Sequence, residues 1–288
     1  MLTLIVNPTA GSGYARKVAP QLHTALEERG IDHEMVYTQY PGHATKLALQ
    51  AAQRSDCEGV LAVGGDGTAY EVACGLMNTG KALGMIPAGT GNDFIKTIGT
   101  PAKPLAALAF ILDHKPRPVD IGRLNQRMFL NVCGTGFDVT VLDYAQAAKK
   151  YARGLLPYLI GLIRAIFHYQ PVQVRISADG HRMEQAVLVC SIANGRFIGG
   201  GIPICPAADP GDGWLDLVTV DNVPRHRIPR YLPMLLLGRI LRIPASHHLR
   251  CKKIVLDAPG MRLNVDGEIL SMDHAEFSIL PGQLLLYW

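Results

Sequence analysis

The sequence has no apolar run long enough to cross a bilayer, and only 18% of its 288 residues are charged. A membrane-spanning helix needs ~20 apolar residues. The stretches of this sequence without Asp, Glu, Lys or Arg are shorter than that, and Gly and Pro interrupt them. The first residues, MLTLIVNPTAGSG, contain no basic segment and no small-residue cleavage site. We therefore expect neither a transmembrane helix nor a signal peptide.

The sequence also lacks closely spaced cysteines and a large charge surplus. No two of its six cysteines are closer than fifteen residues, which excludes a zinc ribbon and favours small core side chains in a reduced, cytosolic protein. Lys+Arg 28 against Asp+Glu 24 gives a net charge of +4, too small a surplus to indicate a nucleic-acid partner.

Several common catalytic motifs are missing. The absence of G-x-x-x-x-G-K-[ST] excludes a P-loop enzyme, and no G-x-G-x-x-G follows the first strand, which disfavours a dinucleotide-binding Rossmann domain. There is no G-x-S-x-G elbow and no H-E-x-x-H pair. With 48% apolar residues, the chain nevertheless has enough hydrophobic material for one large domain or two medium ones.

The first 120 residues alternate strand and helix patterns, which predicts a parallel sheet with helices on its faces. In such sheets ligands bind beyond the carboxyl ends of the strands. Here those ends carry three glycine-containing loops, Asn7–Gly13, Gly64–Thr68 and Ala88–Asp93. Three such loops on one edge are harder to explain as ordinary turns than any one of them alone.

The strongest local motif is Gly64-Gly65-Asp66-Gly67-Thr68, between an apolar strand and a helix. Glycines allow backbone amides to approach an anion, and the helix N-terminus adds partial positive charge, so a phosphate is the expected ligand. A carboxylate there would repel phosphate unless a cation lay between them, so Asp66 indicates Mg²⁺. The alternative is a tight turn in which Asp66 caps the helix.

After about Asp120, strand patterns dominate and Asp-Gly turns separate them, which predicts an antiparallel β domain. Two helical stretches, Asp138–Tyr169 and Arg227–Leu241, interrupt the strands. We place the domain boundary near Gly122.

Two loops of this second domain contain carboxylates. In Asn264-Val265-Asp266-Gly267-Glu268, the Asp-Gly pair predicts a hairpin, and the alternative makes Glu268 a general base. In Cys205–Trp214, two aspartates three residues apart either bind a hard cation or form Asx turns.

The stretch Arg225–Lys253 contains eight Lys or Arg and no acid, beside an apolar run. This composition suits an anionic membrane surface, and a solvated helix with one face on the core explains it equally well. The segment Leu155–Phe167, close to Lys149, Lys150 and Arg153, is a second candidate for docking, although a core helix is the simpler interpretation.

Together, NPTAGSG, GGDGT followed by Glu71, GTGNDF and the late VDGE resemble the diacylglycerol kinase catalytic-domain family, in particular soluble bacterial lipid kinases of the YegS/BmrU type. GGDGT alone also resembles turns of NAD kinases and phosphofructokinases, whereas the four motifs in order are specific. The resemblance covers essentially the whole chain.

This resemblance implies an α/β plus β fold in two domains. Residues 1–122 would form an N-terminal α/β nucleotide-binding domain that residues 280–288 complete, with the final strand returning to it. Residues 123–279 would form a C-terminal antiparallel β-sandwich.

The resemblance also implies site residues. Those expected to contact ATP are Asn7, Pro8, Thr9, Ala10, Gly11, Thr38, Gly64, Gly65, Asp66, Gly67, Thr68, Ala69, Tyr70, Glu71 and Thr90. Those expected to hold a catalytic Mg²⁺ through water are Asp66, Asp93 and Asp120, with Glu268 as the general base. A structural Mg²⁺ would be bound by Asp209, Asp212 and Trp214.

The implied activity is transfer of the γ-phosphate of ATP to a membrane lipid, with diacylglycerol as the first expectation, by a cytoplasmic enzyme peripheral to the inner face of the membrane. Another lipid such as a sphingoid base, a soluble NAD-like substrate, and a non-catalytic nucleotide- or lipid-binding module remain open. A homodimer is left open, and no nucleic-acid partner is expected.

Overall fold

The computed structural model describes residues 1–148, 150–151 and 156–288. They divide into two compact units, of which unit 1 comprises residues 1–121 and 281–288 and unit 2 comprises residues 122–280. No helix in the described part of the chain is long and apolar enough to cross a membrane. All six cysteines are free, and all except Cys74 are buried.

Unit 1 is built from alternating strands and helices, as its sequence pattern predicts. Their bounds are β1 Leu2–Val6, α1 Ala10–Glu27, β2 His33–Tyr37, α2 His43–Ala52, β3 Gly59–Gly64, α3 Asp66–Leu76, β4 Ala82–Pro87, α4 Asp93–Ile98, α5 Pro104–Asp113 and β5 Pro116–Leu124, the last of which continues into unit 2.

The strands β2, β1, β3 and β4 pair in parallel in that order, so their carboxyl ends share one edge of the sheet. Every residue of β1, β3 and β4 is buried, because helices cover both faces. Leu22 and Leu26 of α1 pack with Leu4 of β1 and Ile111 of α5 in one hydrophobic cluster. This core fixes the edge from which the loops emerge.

The described residues of unit 2 form eight strands, which pair antiparallel to one another, and three α-helices. Their bounds are β6 Arg127–Phe129, β7 Val132–Gly136, α6 Phe137–Ala148, α7 Leu156–His168, β8 Val172–Ala178, β9 His181–Ala193, β10 Leu215–Asp221, α8 Ile228–Leu236, β11 Ser246–Cys251, β12 Lys253–Val265 and β13 Glu268–Tyr287. The neighbouring strands run in the order β11, β10, β9, β7, β12 and β13, and β8 joins both β9 and β12.

Strand β10 is buried on both faces. Leu215 and Leu217 belong to the cluster between the β-strands, whereas Val218 and Val220 belong to a second cluster shared with the helices. This two-sided burial explains why the alternation of apolar and polar residues is broken at the adjacent Leu217 and Val218.

Strand β13 begins in unit 2, and its end belongs to unit 1, where Leu285 and Leu286 pair in parallel with Ala82 and Leu83 of β4. The predicted return of the final strand is therefore confirmed. The α/β plus antiparallel β fold class is confirmed with it.

The structure corrects several predicted elements. The helix expected over Asp138–Tyr169 is two helices, α6 and α7. Three residues of the second docking candidate lie outside the described residues, namely Lys149, Arg153 and Leu155. The helix expected over Arg227–Leu241 ends at Leu236, because Gly238 adopts a left-handed conformation that terminates it.

Candidate functional site

A cavity of about 390 Å³ lies in unit 1 at the carboxyl ends of the parallel strands. Residues expected from the motifs that line it are Asn7, Thr9, Ala10, Gly11, Thr38, Gly65, Gly67, Thr68 and Glu71. Gly89 of the third loop also lines it, as do Gln39, Tyr40, Pro41 and Ala44, which the motifs did not indicate. Among the described residues, the lining does not include Pro8, Gly64, Asp66, Ala69, Tyr70 or Thr90, which lie in the same loops or in the first turns of α3.

The first loop is shaped by Asn7 and by consecutive left-handed residues. The Asn7 side chain donates to Thr68 Oγ1 at 3.1 Å and accepts from the Thr9 hydroxyl at 2.9 Å, which links the first loop to the second. Gly11, Ser12 and Gly13 all have positive φ, so the regular part of α1 begins after them. A Cβ on Gly11 would lie 2.3 Å from the Ala88 carbonyl oxygen, so only glycine fits.

The second and third loops touch through their glycines. A Cβ on Gly89 would lie 2.4 Å from the Gly65 Cα, which leaves room only for backbone. The Asn92 side chain donates to the Gly89 carbonyl at 2.9 Å and accepts from the Gly89 amide at 3.3 Å, holding the third loop in a tight turn. The result is a cradle of bare backbone beside the cavity, a surface suited to phosphate oxygens.

Two carboxylates lie together beside these loops. Burial, and next the charge of Asp93, raise the pKa of Asp66, while amides at the start of α4 lower it, with Phe94 N donating to Asp66 Oδ1 at 3.2 Å. Asp93 pairs with Lys96 Nζ at 3.1 Å. A half-buried carboxylate repelled by another acid is an environment that a divalent cation would stabilise, so the donor set fits Mg²⁺.

Glu71 has a structural role that the motifs did not reveal. Its two carboxylate oxygens accept from the Gly42 and Ala44 amides at 2.9 and 3.1 Å. These are amides at the start of α2, so Glu71 caps that helix from α3 and fixes the cavity wall.

Asp120 is buried, and its Oδ1 accepts from the Gly282 amide at 2.8 Å. It thus holds the segment that leads the final strand into unit 1.

In unit 2, Glu268 is the first residue of β13, directly after the predicted hairpin turn. Asp266 and Gly267 both have positive φ, and Val265 pairs with Glu268 across the turn. The Glu268 side chain is 65% exposed and pairs with Arg127 at 2.5 Å. The hairpin is therefore present, and a reactive Glu268 at its end is compatible with it.

Asp266, which sequence reasoning treated only as a turn residue, anchors this hairpin. Its carboxylate accepts from the Leu130, Asn131 and Val132 amides at 2.7, 3.0 and 3.0 Å. The Glu268 backbone is thus fixed to the segment between β6 and β7.

Asp138 is a second carboxylate that sequence reasoning missed. Burial raises its pKa to about 6, and Asn264 Nδ2 donates to its Oδ2 at 3.3 Å. Its Oδ1 is buried and has no hydrogen-bond partner among the described residues. The signal was Gly134-Thr135-Gly136-Phe137-Asp138, a strand-to-helix turn like GTGND in unit 1.

The loop expected to bind a structural cation forms two Asx turns. Asp209 Oδ1 accepts from Gly211 N, and Asp212 Oδ1 accepts from Trp214 N, each at 3.0 Å. Asp212 Oδ2 pairs with Arg250. The Arg250 guanidinium and the Lys252 ammonium lie over the Trp214 ring, so cationic side chains crowd this loop.

Comparison with known proteins decides the family. Residues 1–124 match the diacylglycerol kinase catalytic domain, and residues 131–288 match the YegS C-terminal NAD kinase beta sandwich-like domain. The chain belongs to the diacylglycerol kinase family. The resemblance drawn from the four motifs is therefore confirmed.

Relatives in this family align along nearly their whole length. A diacylglycerol kinase of Mycobacterium tuberculosis is 31% identical over 98% of this chain and 93% of its own length. A diacylglycerol kinase of Bacillus subtilis is 30% identical over 95% and 91%. A YegS-like lipid kinase of Pseudomonas aeruginosa is 33% identical over 91% and 87%.

A crystal structure agrees with the sequence relatives. A diacylglycerol kinase from Bacillus anthracis superposes with a TM-score of 0.81 at 26% identity, covering 100% of this chain and 96% of that one. The two-domain kinase fold thus holds for this member of the diacylglycerol kinase family.

Proposed function

We propose that this chain is an ATP-dependent lipid kinase that phosphorylates the hydroxyl of diacylglycerol to give phosphatidic acid. The observation that carries the proposal is the cradle of Gly65 and Gly89 beside the Asp66–Asp93 carboxylate pair, in a member of a lipid kinase family. Phosphoryl transfer requires mainly positioning and charge neutralisation, which this arrangement supplies.

In this proposal the cavity of unit 1 binds ATP. Backbone amides of the Asn7–Gly11 segment, apart from Pro8, and of the Gly64–Glu71 and Thr90 segments bind the phosphates. Thr38 and Tyr40 line the cavity. Asn7 and Asn92 hold the loops in place before the nucleotide arrives, which reduces the entropy lost on binding.

Asp66 and Asp93 would hold the catalytic Mg²⁺ through water, and the family resemblance adds Asp120. Bound there, Mg²⁺ would offset the negative charge of the phosphates. Glu268 is proposed as the general base. The lipid oxygen bonds to the γ-phosphorus, the bond to the bridging oxygen breaks, ADP leaves, and the hydroxyl proton passes to the Glu268 carboxylate.

Arg127 has a defined part in this proposal. Its guanidinium pairs with the Glu268 carboxylate and so holds the proposed base in one orientation. Because the side chain is exposed, the ion pair is weak and can rearrange when a substrate arrives.

An exposed apolar surface on unit 2 supports the proposal of a lipid acceptor. Leu156, Leu159, Ile163 and Phe167 are each at least half exposed and, at spacings of three and four residues, form one stripe along α7. Leu236 and Leu237 at the end of α8 are also exposed, and both helices pack on the same hydrophobic cluster.

The charge around these helices matches an anionic bilayer. Residues 144–178 and 222–256 contain no Asp or Glu, and Arg164, Arg230, Arg239 and Arg242 are exposed. Apolar side chains among basic ones favour binding to anionic lipid headgroups. We propose peripheral binding to the inner face of the cytoplasmic membrane, with α7 and α8 together as the docking surface.

We also propose, from the family resemblance, that Asp209, Asp212 and Trp214 bind a structural Mg²⁺. Because Arg250 occupies one oxygen of Asp212, the cation would have to displace this guanidinium. Binding should therefore depend strongly on ionic strength.

The proposed acceptor is tested by offering the purified chain γ-labelled ATP with mixed micelles of diacylglycerol, micelles of sphingosine, or NAD. The proposal requires the label in phosphatidic acid. Label in NAD alone would overturn the lipid acceptor, and no transfer to any acceptor in spite of ATP binding would indicate a non-catalytic module.

A further inference from the structure

Three side chains with different metal-binding atoms meet on one face of β10 and β11. Cys205 lies in the loop before β10, Asp216 lies on β10, and His248 lies on β11. The thiol sulfur, a carboxylate oxygen and an imidazole nitrogen all lie within 4.8 Å of one another. No motif spacing indicates this cluster, because its members come from three separate segments.

The strand register explains why these residues meet. In the antiparallel pair, Val218 lies opposite His248 and Asp216 lies opposite Arg250. Asp216 and His248 are therefore diagonal neighbours on the same face, within reach of each other. Val218 and Cys205 belong to the same hydrophobic cluster, which places the thiol against that face.

The carboxylate of Asp216 is buried and incompletely satisfied. Its side chain is only 1% exposed, and Oδ1 pairs with His248 Nε2 at 2.5 Å. Its Oδ2 is buried and has no hydrogen-bond partner in the part of the chain that the structure describes. An unpaired buried carboxylate oxygen is costly, which makes it an independent sign that a ligand belongs beside it.

We propose that Cys205, Asp216 and His248 bind one Zn²⁺. The thiolate and carboxylate balance the two charges of the ion, and the neutral imidazole completes a sulfur, oxygen and nitrogen set that zinc accepts in tetrahedral sites. Binding forms these three bonds, replaces the hydrogen bond between Asp216 and His248, and releases the thiol proton to solvent, with no oxidation or reduction. The thiolate ligand disfavours Mg²⁺ and Ca²⁺, which prefer oxygen.

The dimensions of the cluster are compatible with this ion. Zinc bonds of about 2.0–2.3 Å separate tetrahedral ligands by roughly 3.3–3.7 Å, so small side-chain rotations would bring the ligand atoms into place. The His248 side chain is 26% exposed, which leaves an entry path and a position for a water as the fourth ligand. The site shares no ligand residue with the proposed Asp209, Asp212 and Trp214 site, although Cys205 begins the same loop.

The test uses the full chain, freed of metal with a chelator and kept reduced without thiols. Titration with Zn²⁺ against a competing chelator should give one equivalent bound and a rise in Tm. Co²⁺ should give visible tetrahedral bands and a near-ultraviolet band from sulfur-to-metal charge transfer. No stoichiometric Zn²⁺ binding, or Co²⁺ binding without the sulfur band, would overturn the proposal.

Variants locate the site. His248→Gln and Cys205→Ser should each weaken Zn²⁺ binding by about 100-fold or more, since losing a group that merely supports a ligand already costs 10–100-fold. His247→Gln is the matched control, because His247 pairs with Asp221 instead. Cys205 is buried, so its variant can fail to fold. The His248→Gln variant is therefore the deciding one, because His248 is partly exposed. Unchanged affinity in His248→Gln would place the zinc elsewhere and reject the site.

Discussion

Gly65 and Gly89 approach so closely that a Cβ on Gly89 would lie 2.4 Å from the Cα of Gly65. One glycine follows β3 and the other follows β4, so the contact joins two loops at the same edge of the sheet. Adjacent parallel strands bring the loops together, and the missing side chains leave the backbone amides accessible. This contact is the structural basis of the proposed phosphate site.

Replacing Gly89 tests this contact. Gly89→Ala should lower the free energy of unfolding by about 1–3 kcal/mol, since the added methyl must push backbone aside, and should weaken ATP binding. Gly67→Ala is the matched control for stability, because a Cβ there meets nothing within 4 Å. Chemical denaturation and nucleotide titration measure both effects. A stable Gly89→Ala variant with unchanged ATP affinity would contradict the cradle.

Replacing Asp66 should lower activity and raise thermal stability. Asp66→Asn is expected to reduce phosphate transfer by about 10²-fold or more, because the proposed cation loses a carboxylate. Burial in the folded protein favours the protonated form of Asp66. The stability that this preference contributes is fully present below the ordinary pKa of 3.8, and it is lost as pH rises through the raised pKa of the folded state. In the absence of metal, the Tm of Asp66→Asn minus the Tm of wild type should therefore be larger at pH 8 than at pH 4. An equal Tm difference at both pH values would contradict the raised pKa.

Asp138 predicts a pH effect in unit 2. A rise of its pKa from 3.8 to about 6 corresponds to at most about 3 kcal/mol of stability that is present below pH 3.8 and lost as pH rises through 6. Asp138→Asn cannot ionise and should show a weaker decline in stability over this range. Denaturant unfolding at several pH values measures it, and parallel profiles for both proteins would refute the assignment.

The membrane surface can be tested by making α7 polar. The double substitution Ile163→Ser and Phe167→Ser should weaken binding to vesicles with anionic lipid by about tenfold or more, since each apolar side chain contributes up to about 1.5–3 kcal/mol when fully buried. Leu105→Ser on α5 is the control, because Leu105 is similarly exposed on unit 1. Vesicle co-sedimentation gives the affinities. Equal losses in both variants would argue against a specific surface on α7.

Local patterns in the sequence were enough to predict most of unit 1. The apolar run before Gly64 and the turn at Gly64–Thr68 lie within one strand–helix unit, so neighbouring residues determine their structure. The regular strand–helix alternation then predicted that the three loops share an edge.

The sequence could not predict features that depend on distant partners. Asp266 looked like an ordinary turn residue, because the amides of Leu130–Val132 that it binds lie far away in the chain. Strand β11, Ser246–Cys251, was missed because its His and Arg side chains do not resemble an apolar strand, and pairing with β10 provides its stability. The Cys205, Asp216 and His248 cluster likewise depends on register.

The most direct test of the account compares Glu268→Gln with Glu276→Gln in the labelled-ATP assay with diacylglycerol. Both glutamates lie on β13 and are similarly exposed, at 65% and 67% of the side chain, so the pair controls for loss of a surface charge. We predict that Glu268→Gln keeps its ATP affinity and loses about 10²-fold or more in kcat, whereas Glu276→Gln retains wild-type kcat. Equal kcat in the two variants would contradict the central claim that Glu268 accepts the proton of the lipid hydroxyl.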